Sequence, residues 1–379
     1  MIYLTFNDPP SGIYSGQVID VCRFLNKDMN AGIRLVALVS SRGFMANRRK
    51  IKSQLPDAIV LPMFPGVGNW SVNILWLIFI CLFLGRQSII ARGPFAATLA
   101  LRLKKIKLAR KVCFDARGAY TAEFNEYNVS GSAKLNAEIK AIERNTVLKA
   151  DFRLAVSNQL VAYWAKTFGY NSMQHVIIPC TISSSSSIQQ VNDTDIKSQR
   201  GALGFADNDV ILVYSGSSAA WQSIKLADDF LLAQMQQNPN CKVLFLTDKL
   251  PDSMLTVKEF PGRVMQKWLV AEQVANVLRC CDYGLLIREK SITNLVSSPV
   301  KFAEYLAAGL QVVISSEIGD YPGFVIEHDC GMVLNAHTEK SMLGSISVET
   351  KNRNIALAEM YYTKKSRLEG YKRILSALK

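Results

Sequence analysis

The strongest constraint on this chain is a rhythm of short apolar runs, each closed by a turn residue or a charge and followed by a helix-length stretch. Residues 2–6, 33–39, 58–61, 88–91, 111–114, 152–156 and 176–179 read as strands. Residues 18–25, 95–105 and 133–149 read as helices between them. Strands alternating with helices predict a parallel sheet covered on both faces. The rhythm then stops. Ser183 opens a polar, Ser-rich stretch that runs to about Arg200 and has linker-like composition. It restarts with strands at 210–214, 243–247, 283–287 and 312–315 and helices at 224–237, 272–279 and 299–308. A length of 379 residues also suits two domains. The expected division is 1–180, 181–352 and a helical tail at 353–379 with a basic outer face. Two α/β domains of similar size leave a cleft between them, a common place for ligands.

Composition narrows the classes. With 49% apolar and 20% charged residues, most of the chain is ordered. The formal charge of +13 is uneven: residues 1–180 hold 23 Lys/Arg against 10 Asp/Glu, and 181–379 hold 21 of each. The eight cysteines include no CxxC pair, so buried core thiols are expected instead of disulfides or structural zinc. The first residues carry no positive n-region and no long apolar stretch, so a signal peptide is not expected and a cytoplasmic location is. Residues 74–84 are apolar throughout but fall short of the roughly 20 residues that span a bilayer. They are expected as a core helix. The alternative is a helix dipping into one leaflet, with Trp70 and Trp76 near the headgroups. Basic residues crowd at Arg48, Arg49, Lys50 and Lys52, and again at Arg102, Lys104, Lys105, Lys107, Arg110 and Lys111. They suit a solvated surface or the inner face of an anionic membrane. No nucleic-acid module accompanies them.

The most informative window is Ser297–Gly309. Ser298 fits a helix N-cap, Pro299 the first helical position and Gly309 the residue past the end. Lys301 and Glu304 then share one face three residues apart. They suit a phosphate and a sugar diol respectively, or an ordinary ion pair with each other. Arg288 follows an apolar strand, at the strand end where open α/β sheets bind ligands. The turn Ser215-Gly216-Ser217-Ser218 also follows a strand and lets backbone N–H groups approach a pyrophosphate. Asp207-Asn208-Asp209 precedes its strand and reads as a turn; Asp193-Thr194-Asp195 reads as solvated linker. Gly66-Val67-Gly68 lacks the context of a phosphate loop. HExxH and Walker A patterns are absent, and no metal is expected.

Together Asp282–Glu289 and Ser298–Val313 resemble the donor-binding core of family-4 glycosyltransferases of the bacterial surface-polysaccharide type. Val213–Ser217 with Trp221-Gln222, Ala150–Asn158, Val176–Pro179 and Phe114-Asp115-Ala116-Arg117-Gly118 resemble further stretches of that family. The resemblance implies the GT-B fold, an α/β architecture of two Rossmann-like domains facing across a cleft. It implies a retaining transfer from a nucleotide-sugar donor to a lipid-linked or oligosaccharide envelope acceptor, with no cofactor, by an enzyme peripheral on the inner membrane face. In the family the second Glu of a Glu-x7-Glu motif holds the ribose, which maps to Glu304. Basic residues hold the diphosphate, which implies Arg288 and Lys301, with Lys225 a weaker candidate. Gly12, Gly16 and Gln17 match the glycine-containing loop on the acceptor side. Two departures stand out. The motif's first Glu falls on Val296. A His that relatives carry near the position of Asp115 is also missing, since His175, His328 and His337 lie elsewhere. Asp115 and Arg117 are the substitute catalytic candidates. The departures also suit a catalytically silent subunit that binds glycan or a partner, and a sugar-nucleotide epimerase on the same fold is a third reading.

Overall fold

A computed structural model describes residues 1–64, 67–128, 133–184, 188–216, 223–335 and 341–379. The chain forms two compact units. The first comprises Met1–Ser183, Val296–Ser298 and Lys364–Lys379; the second comprises Ser184–Leu295 and Pro299–Thr363.

The first unit is built on strands β1 (Ile2–Phe6), β2 (Arg34–Ser40), β3 (Ile59–Met63), β4 (Gln87–Arg92), β5 (Ala109–Asp115), β6 (Phe152–Ala155) and β7 (His175–Ile177). They form one parallel sheet in the order β3-β2-β1-β4-β5-β6-β7. Successive side chains of a strand point to opposite faces. Accordingly Ile2, Leu4 and Phe6 enter one apolar cluster and Tyr3 the other. Helices Ile74–Leu84, Gly93–Lys105, Ala133–Lys149 and Asn158–Phe168 pack on the first face. Helices Asp20–Lys27, Phe44–Gln54 and Leu368–Leu378 pack on the second.

The second unit has β8 (Val210–Ser215), β9 (Cys241–Leu246), β10 (Val264–Lys267), β11 (Tyr283–Leu286), β12 (Gln311–Ser315) and β13 (Gly331–Leu334). They are parallel in the order β10-β9-β8-β11-β12-β13. The winding reverses between β1 and β4 in one sheet and between β8 and β11 in the other. Ligands of open α/β sheets bind outside the carboxyl edge at such reversals.

Several expectations need correction. The polar stretch to Arg200 holds a helix, Asp193–Leu203, capped by the Asn192 side chain, which accepts the Asp195 N–H at 2.8 Å. That cap is readable from sequence, but the helix buries only Ile196 and Arg200, so its apolar stripe is too thin to reveal it. The expected tail helix is two helices. Val348–Tyr362 belongs to the second unit and Leu368–Leu378 to the first. Extended backbone at Thr363 separates them. The expected loop around Gly12 is helical from Gly12 onward, because the Ser11 hydroxyl accepts the Tyr14 N–H. Helix Ile74–Leu84 is not a core helix: it buries Leu77 and Cys81 and leaves most of its other side chains partly or largely open. All eight cysteines are free, and seven are buried.

Candidate functional site

In the second unit the sequence places helix Val300–Ala307 between β11 and β12, so its first turn lies at the carboxyl edge of the sheet. Pro299, not Ser298, occupies the cap position. The Ser298 hydroxyl instead accepts the Cys180 N–H at 2.8 Å. Gly309 ends the helix as expected, with φ +84. The Leu310 N–H reaches the Tyr305 carbonyl at 3.0 Å and the Gly309 N–H the Leu306 carbonyl at 2.9 Å, the two bonds of a Schellman motif.

Lys301 and Glu304 come together as their spacing predicts. Lys301 Nζ lies 2.7 Å from Glu304 Oε2, and the two side chains are 26% and 31% exposed. A half-open pair on the first turn leaves both groups able to exchange partners with a ligand. The helix N-terminus adds its partial positive charge beside them. Arg288 lies two residues beyond β11. Its N–H donates to Ser315 Oγ at the end of β12, and its Nη1 donates to Asn294 Oδ1 at 3.3 Å. Asn294 Nδ2 in turn holds the Glu289 carbonyl at 3.0 Å. The guanidinium is therefore fixed at the same edge by short helix Ile292–Leu295.

Tyr305 was not anticipated. Its hydroxyl accepts the Ser215 N–H at 3.0 Å and donates to the Leu285 carbonyl at 3.3 Å. It thus ties the ends of β8 and β11 at the point where the winding reverses. Burial holds the phenol well above its usual range, so it stays a donor. A side chain at Gly284 would run into the Tyr305 ring. A bulky residue one position after a candidate ligand contact, facing a glycine in the preceding strand, was the available sequence signal. Gly216 follows β8, with its N–H on the Leu246 carbonyl at 3.3 Å. Lys225 is exposed in the first turn of helix Ile224–Gln237. Ser217, Ser218, Trp221, Gln222, Gly66 and His337 lie outside the described residues.

The first unit carries its own polar constellation at the carboxyl ends of β4 and β5, next to the β1–β4 reversal. Arg92 and Asp115 are the last residues of these strands and are register partners. Arg92 Nε donates to Asp8 Oδ2 at 2.8 Å, and Arg92 Nη1 is 3.9 Å from Asp115 Oδ2. The Tyr3 hydroxyl donates to Asp115. Burial, and then the Asp115 charge, push that phenol far above its ordinary range. Arg117 Nη1 is 3.4 Å from Asp115 Oδ1, and its Nη2 donates to Gln17 Oε1 at 2.8 Å. Gln17 is completed by its Nε2, which donates to the Thr181 carbonyl at 2.6 Å. Asp115 is 1% exposed, so its visible work is to orient two arginines. Arg92 Nη1 and Arg117 Nε are buried without a hydrogen-bond acceptor. Arg92, Tyr3 and Asp8 were not singled out in sequence, because only the parallel register brings them to Asp115. Gly12 is exposed and Gly16 buried, both in helical turns. Val296 is fully buried within the apolar cluster of this unit.

Two carboxylates lie just beyond. Glu143 accepts the Tyr120 and Thr121 N–H groups at 3.1 and 2.8 Å and the Thr121 hydroxyl at 2.6 Å. It thereby caps helix Tyr120–Tyr127 from a neighbouring helix. Burial pushes Glu143 up to about 7. Burial, then the charges of Glu143 and Glu126, push Glu123 up to about 7 as well.

No protein-family model and no curated protein matches this chain. Solved structures do match it. HepE of Anabaena, solved with UDP and glucose, is similar with TM-score 0.66 and 14% identity, over 100% of this chain and 99% of its own. A glycosyltransferase of Rickettsia africae is similar with TM-score 0.69 and 12% identity, over 100% and 98%. WaaG, a glycosyltransferase involved in lipopolysaccharide biosynthesis, is similar with TM-score 0.59 and 12% identity, over 100% and 97%. At such identities the likeness speaks for the fold. The chain has the GT-B architecture, with two Rossmann-like parallel sheets of seven and six strands.

Proposed function

We propose that this chain is a glycosyltransferase that moves a sugar, with retention of configuration and without a metal, from a nucleotide-sugar to a lipid-linked envelope saccharide. The observation that carries this reading is the half-open Lys301–Glu304 pair on a helix first turn at the carboxyl edge of the second sheet. Glu304 is assigned to the ribose hydroxyls. Lys301 and Arg288 are assigned to the diphosphate, whose growing negative charge on departure they stabilise; preorganised charge of this kind is often the largest catalytic contribution. The HepE structure with UDP and glucose supports a donor of this class. In the first unit, Asp115 positions Arg92 and Arg117, and Gln17 holds Arg117 from its other side. The basic excess of residues 1–180 supports work at an anionic membrane.

The test is a panel of nucleotide-sugars titrated by thermal shift. Stabilisation by one donor, lost in Glu304→Ala, supports the reading. No shift with any donor overturns it. A second reading is a GT-B subunit that binds but does not turn over. It is favoured by Val296, which is fully buried where the motif's first Glu would contact the donor sugar. Donor binding without hydrolysis or transfer selects that reading.

A further inference from the structure

Helix Ile74–Leu84 leaves an apolar stripe on the surface. Leu75 is 56%, Phe79 69%, Leu82 65% and Phe83 86% exposed, with Trp76 beside them at 38%. At about 100° per residue these five positions fall within about 120° of the helix circumference. Leu77 and Cys81 on the opposite side anchor the helix to the core of the first unit. The eleven residues rise about 16 Å, half of the roughly 30 Å of a bilayer core. Among the described residues no helix is long and apolar enough to cross a membrane.

The charge around the stripe decides what covers it. From Ala58 to Phe114 the chain has eight Lys/Arg and no Asp or Glu. Helix Ile74–Leu84 and helix Gly93–Lys105 pack together, and each returns the chain to the amino edge of the parallel sheet, where β4 and β5 begin. Arg86 Nε reaches the Ala109 carbonyl there at 3.3 Å. Arg86, Lys105, Lys107 and Arg110 are exposed at this edge with Ile106, and Arg102 is exposed over the Trp70 ring at 5.0 Å. Among the described residues none of these five cations forms an ion pair. Two copies of the chain meeting here would bring like charges together. A protein interface also needs hydrogen bonds to fix orientation, and apart from the Trp76 indole and the buried Cys81 thiol the helix has no polar side chain. An anionic bilayer satisfies both conditions. Lipid tails take the stripe without orientation-fixing bonds, headgroup phosphates take the cations, and an indole suits the boundary between them.

We infer that helix Ile74–Leu84 is an in-plane membrane anchor: Leu75, Phe79, Leu82 and Phe83 enter the outer part of an anionic leaflet, and Arg86, Arg102, Lys105, Lys107 and Arg110 pair with its phosphates. This deepens the membrane half of the proposed function by naming the surface and its partner. It corrects the expected headgroup role of Trp70, which is buried, and leaves Trp76 in that place.

The test needs neither donor nor acceptor, so its failure is separable from failure of the transfer reading. Co-sedimentation is measured with phosphatidylglycerol/phosphatidylethanolamine vesicles and with phosphatidylcholine vesicles. The full chain is expected to bind the first at least about tenfold better, and salt is expected to weaken the binding. Shallow brominated lipids are expected to quench Trp76. Phe79→Glu with Phe83→Glu is expected to cut binding about a hundredfold or more. Donor-induced thermal shift is expected to persist, since both side chains are exposed. If that variant misfolds, Phe83→Ser with Arg86→Ser replaces it. Equal binding by the altered chains, no binding of the wild type to anionic vesicles, or a dimer that Phe79→Glu dissociates without vesicle binding would each overturn the inference.

Discussion

Lys301 and Arg200 are both cations facing a carboxylate, and their surroundings give them opposite consequences. Lys301–Glu304 is about a quarter to a third exposed, and such pairs contribute only about 0–1 kcal/mol. Lys301→Ala should therefore unfold within about 2 °C of the wild type while donor affinity falls tenfold or more; a calorimetric scan and a donor titration check both halves. Arg200 is different. Its Nη2 grips both oxygens of fully buried Asp282 at 2.9 and 2.8 Å, and its remaining nitrogens hold three carbonyls. Arg200→Ala breaks this buried pair, leaving the carboxylate the Ile211 N–H at 2.8 Å and the nearby Lys351 charge, and should cost about 3–5 kcal/mol, read by chemical denaturation of the second unit. Sequence spacing alone showed that Lys301 and Glu304 share a face, because i and i+3 are neighbours on any helix. Arg200 looked like linker, because its partners lie 7 to 82 positions away.

Elements were legible where local pattern was strong. Apolar β1, β2, β8 and β12 stood out, and the Gly309 stop is a local signal. β10 and β13 did not, because both are edge strands with few fully buried side chains. Helix Val300–Ala307 shows how an element is held by contacts that sequence hides. Tyr305→Phe should cost about 1–3 kcal/mol by leaving the Ser215 N–H and Leu285 carbonyl unpaired. Gly284→Ala should cost at least as much by displacing the Tyr305 ring. A double-mutant cycle should show strong coupling between the two. The Tyr120–Tyr127 helix makes a pH prediction. Glu123 and Glu143 both sit near 7 when folded, above the unfolded value of about 4.3. The folded state therefore holds more protons across that interval, and stability falls as pH rises from about 5 to 8. Glu123→Gln should flatten this fall, seen as a smaller loss of melting temperature over that range.

For the whole molecule, the twice-run strand–helix rhythm was enough to expect two α/β units, to which the motif resemblance added the GT-B architecture. It was not enough to show how the chain is shared between them, because that depends on contacts hundreds of positions apart. The helix Leu368–Leu378 is the main case. It seats Tyr371, Ile374, Leu375 and Leu378 in the first unit's core, sets the Tyr371 ring tilted against Phe24 with centroids 5.5 Å apart, and takes the Ser88 hydroxyl on the Leu378 carbonyl at 2.7 Å. Burying an apolar side chain contributes about 1.5–3 kcal/mol, so four of them rival the 5–15 kcal/mol that holds a typical domain. A chain cut after Thr363 should lose protease resistance in residues 1–183, as limited proteolysis with mass mapping would show.

That closing helix also bears on synthesis. Ribosomes release chains from the amino end, and early domains usually fold before late ones are made. Here the earliest-made sheet lacks one of its covers until residue 378 has been translated. The second unit, whose residues end at Thr363, has all of its chain first. The birth order of the two halves is thus reversed in their completion. During the interval the face of β5, β6 and β7 that this helix covers stands open.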